Sequence, residues 1–406
     1  MLVTEDVPQT IKWPEWSDNP YPLYRLLRDR SPVYYDAQDK AYLVTRYDDV
    51  MKVLLDAQTF SSIPLATLHA DPNDRISPLR EADAPRHTWL RQIVAPLFTA
   101  KAMRNLEDYF VGVSGELLDA VDGAEVVEVS SQLAIPLPGR VTCDLLGVPL
   151  DHHKRFMDLT AERLNLLHVQ GGRILAFEGM RNLDEIRADL WAIVEPIIAV
   201  RKVAPQNDAI TLLLNAQERV GRQELPDALF IDMLLHLLTG GFHTTQHLVE
   251  MIMSLMADRD DLWQRLRADR TLVEPVIEEM LRWDPPVQAM TRRVTADTEI
   301  AGVAIPAGSE VKLVYGAANR DERAFEDPDT YRLDRVTNRH IAFSAGVHFC
   351  PGSPVTRFEV RALLKAMLDR YERVERAGPS VRWATVQRNV NAMHGYQSVP
   401  VRLIRH

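Results

Sequence analysis

Phe343-Ser344-Ala345-Gly346-Val347-His348-Phe349-Cys350-Pro351-Gly352 places one cysteine in a glycine-punctuated loop, directly ahead of a helix-like run over residues 353–373. A thiolate at the start of a helix is stabilised by the positive end of the macrodipole, so it can stay deprotonated and bind a metal. Pro351 suits the first helical position, where a missing N–H costs least. Gly346 and Gly352 let the backbone pass close to something flat and bulky. The other cysteine, Cys143, lies in the Leu-rich stretch 141–148 and reads as core.

The offsets of Phe343, Gly346, His348 and Gly352 around Cys350 resemble the heme-binding loop of the cytochrome P-450 family. The resemblance covers nearly the whole chain, with its segments in the family's order. It implies a mainly α fold with a small β-rich lobe: a triangular helical domain around a buried heme b, iron protoporphyrin IX. It also implies that Cys350 is the axial ligand of the heme iron, where a thiolate pushes electron density toward bound oxygen and favours O–O cleavage. Phe343 would pack beside the ligand loop, Gly352 would let backbone close on the cofactor, and His348 would reach a heme propionate. No Cys-x-x-Cys-His is present, so covalent c-type attachment is not supported. Pro351 has no N–H to offer the sulfur, so a lower iron potential is expected than with an ordinary residue there.

Glu279-Met280-Leu281-Arg282 sits late in a helical run that begins near Thr271, with the Glu and Arg three apart on one face. The resemblance implies that Glu279 and Arg282 join Arg335 in a partly buried structural network behind the heme. Such a network needs planar bidentate donors, so Lys would substitute poorly. In Asp83-Ala84-Pro85-Arg86-His87-Thr88-Trp89-Leu90-Arg91, His87 and Arg91 are four apart and share a helical face. They resemble the family's propionate-binding helix, and Arg293 resembles another propionate partner. His87, Arg91, Arg293 and His348 would then neutralise two carboxylates.

Residues 226–257 read as one helix, which at 1.5 Å per residue spans roughly 48 Å. Its first half is apolar nearly all round, as a buried central helix should be. Gly240-Gly241-Phe242-His243-Thr244-Thr245 lies in its middle. Mid-helix glycines cost about 1 kcal/mol each relative to Ala and need a reason. By resemblance, Gly240 and Gly241 widen the helix over the heme and Thr244 handles oxygen-linked protons. The acid that usually precedes this Thr is replaced by His243. A neutral imidazole both donates and accepts, and its ordinary pKa of about 6.5 suits a relay. The alternative is a peroxide-dependent or otherwise atypical heme-thiolate enzyme, or a gas or ligand binder. His243, His247 and Glu250 also have zinc-ligand spacing, but the order His-Thr-Thr-Gln-His lacks the signature of a zinc protease.

A length of 406 residues allows a large core, and the motifs surround one cofactor. We therefore expect a single domain over 1–406. Its β-rich portion would come mainly from the first ~70 residues and from segments near 285–315 and 380–405. Pro32-Val33-Tyr34-Tyr35 and Ala41-Tyr42-Leu43-Val44-Thr45 read as paired strands, flanked by helices at Tyr21–Arg30 and Tyr47–Leu55. The N-terminus resembles neither a signal peptide nor a membrane anchor, and two cysteines argue against a disulfide framework. A cytoplasmic monomer is expected. A net charge of −10 without a basic block argues against nucleic-acid binding.

The implied activity is a monooxygenase that inserts one oxygen atom from O2 into a mostly apolar small molecule. The chain has no flavin-binding or iron–sulfur segment, so electrons would come from a ferredoxin-type donor with an NAD(P)H-dependent reductase. Arg91, Lys101, Arg104, Arg339, Arg357 and Arg361 either form a solvated face or dock that acidic donor. The pocket would draw on the 61–80 loop, the 160–179 region, Leu238, Gly241 and Phe242, Val287, Gln288, Ala289 and Met290, and Asn391, Met393 and His394. This is a mostly apolar lining with a few hydrogen-bond partners.

Overall fold

Two helices, α1 (Tyr21–Arg30) and α2 (Tyr47–Leu55), flank a hairpin of β1 (Val33–Asp36) and β2 (Ala41–Val44). The computed structural model describes residues 7–69, 77–171, 183–216, 225–382 and 393–406. Tyr47, Val50, Val53 and Leu54 recur every three to four residues, so α2 buries one face. In the hairpin Val33 pairs with Val44 and Asp36 with Ala41. β3 (Phe60–Ser61) and β4 (Val127–Glu128) follow, then β5 (Ala289–Val294), β6 (Thr298–Ile300), β7 (Val303–Ile305) and β8 (Glu310–Val314). The main sheet has the order β1-β2-β8-β5-β3, with β2 parallel to β8 and the other pairs antiparallel. Strands β5 and β8, from residues 289–314, thus complete the N-terminal sheet.

The helical part comprises α3 (Arg86–Val94), α4 (Ala100–Asn105), α5 (Glu107–Ala120), α6 (Pro136–Leu146), α7 (Leu150–Gly171), α8 (Leu183–Val203) and α9 (Ala209–Leu214). It continues with α10 (Asp227–Asp258), α11 (Asp260–Ala268), α12 (Val273–Trp283), α13 (Tyr315–Ala318) and α14 (Ser353–Arg370). The central helix α10 runs for 32 residues and packs against α6, α12 and α14. Cys143 of α6 is buried in a core cluster, and burial pushes its thiol up to about 12.

The helix after the cysteine ends earlier than its sequence suggested. Residues 371–373 belong to β9 (Tyr371–Arg376), because Tyr371 and Val374 turn into the core and the strand pairs with β12 (Pro400–Arg405). β4 adds to the other edge of β12, while β10 (Val381–Arg382) and β11 (Tyr396–Ser398) make a separate pair. Glu359 of α14 lies inside this core at 1% exposure, and neither carboxyl oxygen has a hydrogen-bond partner. Burial alone pushes its acid well above the usual carboxylate range. Among the described residues no single helix is long and apolar enough to cross a membrane.

Candidate active site

The cysteine loop is held from three sides. The Cys350 N–H donates to the Phe343 carbonyl at 2.9 Å, and the Phe349 N–H donates to Gly346 at 3.1 Å. Gly346 has φ +65°, and a Cβ there would stand 2.6 Å from the Leu54 carbonyl of α2, so only glycine fits. Ser344 also adopts a left-handed φ of +63°, and its Oγ lies 3.1 Å from the Tyr315 hydroxyl. Arg357 lies over the Phe343 ring at 4.6 Å.

The sulfur faces the N-terminus of α14, where the N–H groups of Gly352 and Ser353 donate to it. Burial pushes the thiol up; these two N–H groups and the guanidiniums of Arg91 and Arg357 pull it down, and the balance is upward. The dipole therefore does not by itself keep Cys350 ionised, because desolvation outweighs it. A metal ion on the sulfur would supply the missing charge, since a coordinating thiol is deprotonated outright.

Beside the loop lies a cluster of potential cations. The rings of His87 and His348 sit 4.0 Å apart between centroids. Arg91 donates to the carbonyls of Val347 at 3.2 Å and Phe349 at 2.6 Å. Strand parity corrects one assignment here. Arg292, not Arg293, is buried in β5, and its charge reaches both imidazoles. Adjacent strand residues point to opposite faces, and the Arg293 Nε donates instead to the Ile63 carbonyl at 3.3 Å. Burial first, then His87, Arg292 and Arg91, push His348 down to about 3. Burial and Arg91 likewise lower His87. Both guanidiniums bond backbone carbonyls rather than carboxylates. Such mutual repulsion calls for an anionic ligand, and the two propionates of a heme fit it.

Behind the loop, Glu279 grips two arginines. Arg282 binds it bidentately at 2.9 and 2.7 Å, and the Arg335 Nε lies 3.0 Å from each carboxylate oxygen. The remaining guanidinium N–H groups reach the carbonyls of Asn319, Glu326, Asp327, Pro328 and Thr330. A buried charge network is tolerable when every donor is met, and this one meets them.

The two glycines of α10 have different reasons. Gly240 is exposed in mid-helix with nothing within 4 Å of a hypothetical Cβ, so it faces open space. Gly241 faces α6 instead, where a Cβ would stand 2.9 Å from Thr142 Oγ1. The Thr244 hydroxyl donates to the Gly240 carbonyl at 2.8 Å, and the half-buried His243 ring meets Phe242 edge-on at 4.5 Å between centroids.

A family model described as Cytochrome P450 matches residues 31–380. The chain belongs to the cytochrome P450 family. Cytochrome P450 109 of Bacillus spizizenii is 31% identical over 391 residues, covering 95% of this chain and 92% of that protein. The steroid C26-monooxygenase of Mycolicibacterium smegmatis is 31% identical over 389 residues, covering 93% and 91%. The structure of CYP109E1 from Bacillus megaterium in complex with testosterone has a TM-score of 0.81 at 29% identity, covering 95% of this chain and 99% of that one. CYP109Q5 from Chondromyces apiculatus gives 0.84 at 29%, covering 97% of both. As a P450, this chain is an oxidoreductase that incorporates oxygen and takes heme b as its cofactor.

In this P450 several residues expected to line the pocket are committed elsewhere. Leu238 is 1% exposed in the helical core, and Phe242 packs on Gly139 beside Met157. Gln288 is fully buried, donating to Pro285 at 2.8 Å, and Ala289 belongs to the N-terminal core cluster. The His394 ring bonds Asp284 at 2.9 Å. Val287, Met290 and Met393 remain half-buried, and Val287 bridges Met393. Asn391 lies outside the described residues, as do parts of the 61–80 and 160–179 segments. Among the described residues no three His, Cys, Asp or Glu side chains are placed to hold a metal ion.

Proposed function

We propose that this P450 inserts one atom of O2 into a mostly apolar small molecule, using electrons from an external ferredoxin and its NAD(P)H-dependent reductase. The carrying observation is Cys350: two backbone N–H groups meet its half-buried thiol, Arg91 and Arg357 lie near it, and His87, His348 and Arg292 cluster beside its loop. Cys350 would hold the heme iron, with Arg91, Arg292, His87 and His348 on the propionates. When bound, heme ligated by thiolate supplies oxygen activation.

The chain's own part is proton handling and shape. Thr244, tied to the Gly240 carbonyl, presents its oxygen at the open face of α10. His243, one residue earlier, holds a proton that it passes toward that hydroxyl, in place of the usual acid. Val287, Met290 and Met393 give the substrate an apolar wall. The steroid-acting relative and the testosterone-bound structure support a ligand of this character.

Of the six basic residues considered for donor docking, Arg357 is paired with Glu278 and Arg361 with Glu274. Arg91 turns to the cysteine loop, which leaves Lys101, Arg104 and Arg339 exposed for an acidic donor.

Two substitutions test the reading. Cys350→Ala should abolish the Soret shift that carbon monoxide gives on reduced thiolate-ligated heme; an unchanged spectrum refutes it. His243→Asp should leave product formed per NAD(P)H unchanged or lower. A sharp rise would show that His243 diverts the chemistry, as in a peroxide-using enzyme.

A further inference from the structure

The turn at residues 393–396 is clamped from both sides. Toward the segment that follows α12, the His394 N–H donates to the Pro286 carbonyl at 2.8 Å, its ring meets Asp284, and Met393 bridges Val287. Toward α10, the Tyr396 N–H donates to Glu250 Oε2 at 2.9 Å. The same carboxylate accepts from His247 Nδ1 at 2.8 Å and from Gln246 Nε2 at 2.9 Å. Both Glu250 and His247 are fully buried.

Gly395 lies against the imidazole. A Cβ there would stand 2.0 Å from His247 Nδ1, so no other residue fits without moving the turn. Its backbone is not left-handed, so close approach alone demands the glycine. One buried carboxylate with three fixed donors specifies register as well as contact, which apolar packing does not.

We infer that His247 and Glu250 are positioning residues for substrate specificity. They lock the 393–396 turn to the helix that carries His243 and Thr244, and so fix Met393, with Val287, as a wall that bulky apolar ligands touch and small ones do not. The inference rests on the pocket reading given above. His247 lies about one turn beyond Thr244, so the wall's anchor and the proton-handling residues share one helix.

The test uses full-length, heme-loaded protein and two probes, imidazole and the bulky azole clotrimazole, with binding read from the Soret shift. In His247→Leu and Glu250→Gln, clotrimazole should weaken by about tenfold while imidazole changes less than about twofold. His247→Asn keeps a donor nitrogen near the Nδ1 position and should recover most of the clotrimazole affinity. An unchanged ratio of the two affinities in the Leu and Gln variants, or an equal loss in the Asn variant, overturns the inference. Should those variants fail to fold, Met393→Ala decides: clotrimazole affinity must change with imidazole affinity intact, and no change overturns the inference. Absence of the carbon monoxide signature in unmodified protein would instead overturn the heme-thiolate reading itself.

Discussion

Arg292 and Arg293 show what a single residue's place in a strand decides. Both are arginines after Pro285-Pro286-Val287, and nothing in their composition separates them. Alternation says only that they face opposite ways; which face meets His87 and His348 is set by β5 pairing with β3 and β8. Cys350 was legible because its neighbours carry a pattern, and Arg292 was not because it carries only a parity. Arg292→Ala should therefore lower heme retention during gel filtration, while Arg293→Ala should leave it near the unmodified level. Equal losses would contradict the assignment. Gln288 and His394 were hidden for a related reason: hydrogen-bond capacity in a sequence does not say whether water, ligand or buried protein groups will use it.

Among the elements, α10 was the most readable and the most deceptive. Its apolar first half and its paired glycines indicated a buried helix with a local purpose, and Asp227–Asp258 matches that reading. The glycines looked equivalent, yet one faces open space and the other faces Thr142. Gly240→Ala should stabilise the fold by about 1 kcal/mol, through helix propensity, while narrowing the open face beside Thr244 and lowering turnover. Gly241→Ala gains the same propensity but forces a methyl to 2.9 Å from Thr142 Oγ1. It should come out destabilised in denaturant melts, because α6 must shift. Matching stabilities for the two variants would sink this distinction.

For the whole molecule, acid should act chiefly on the buried carboxylates that tie segments together. Burial would raise Glu278, but hydrogen bonds from Arg357 and His340 override it and hold it at about 2. Asp284 is likewise held below the usual range, against burial, by His394, Arg382 and Tyr21. A depressed folded pKa means stability that is complete above about pH 4.5 and drains away as pH falls toward 2. Thermal midpoints should fall across that window, and Glu278→Gln should flatten the slope; an undiminished slope would count against the assignment. The overall α-plus-small-β architecture was legible from motif order and local periodicity. Strand β9 of the second sheet was not, because residues 371–373 continue a helical pattern and become strand only by pairing with β12. Glu359 works in the opposite sense to Glu278: burial raises its acid, so folding favours the protonated form and unfolding favours its ionisation. A protonated carboxylic acid with no hydrogen-bond partner has a carbonyl stretch that stands apart from every carboxylate band. Glu359→Gln should erase that band, and a downshift of it in the native protein would mark the moment water enters between α14 and its neighbours, making this one side chain a built-in vibrational gauge of how tightly the helices close.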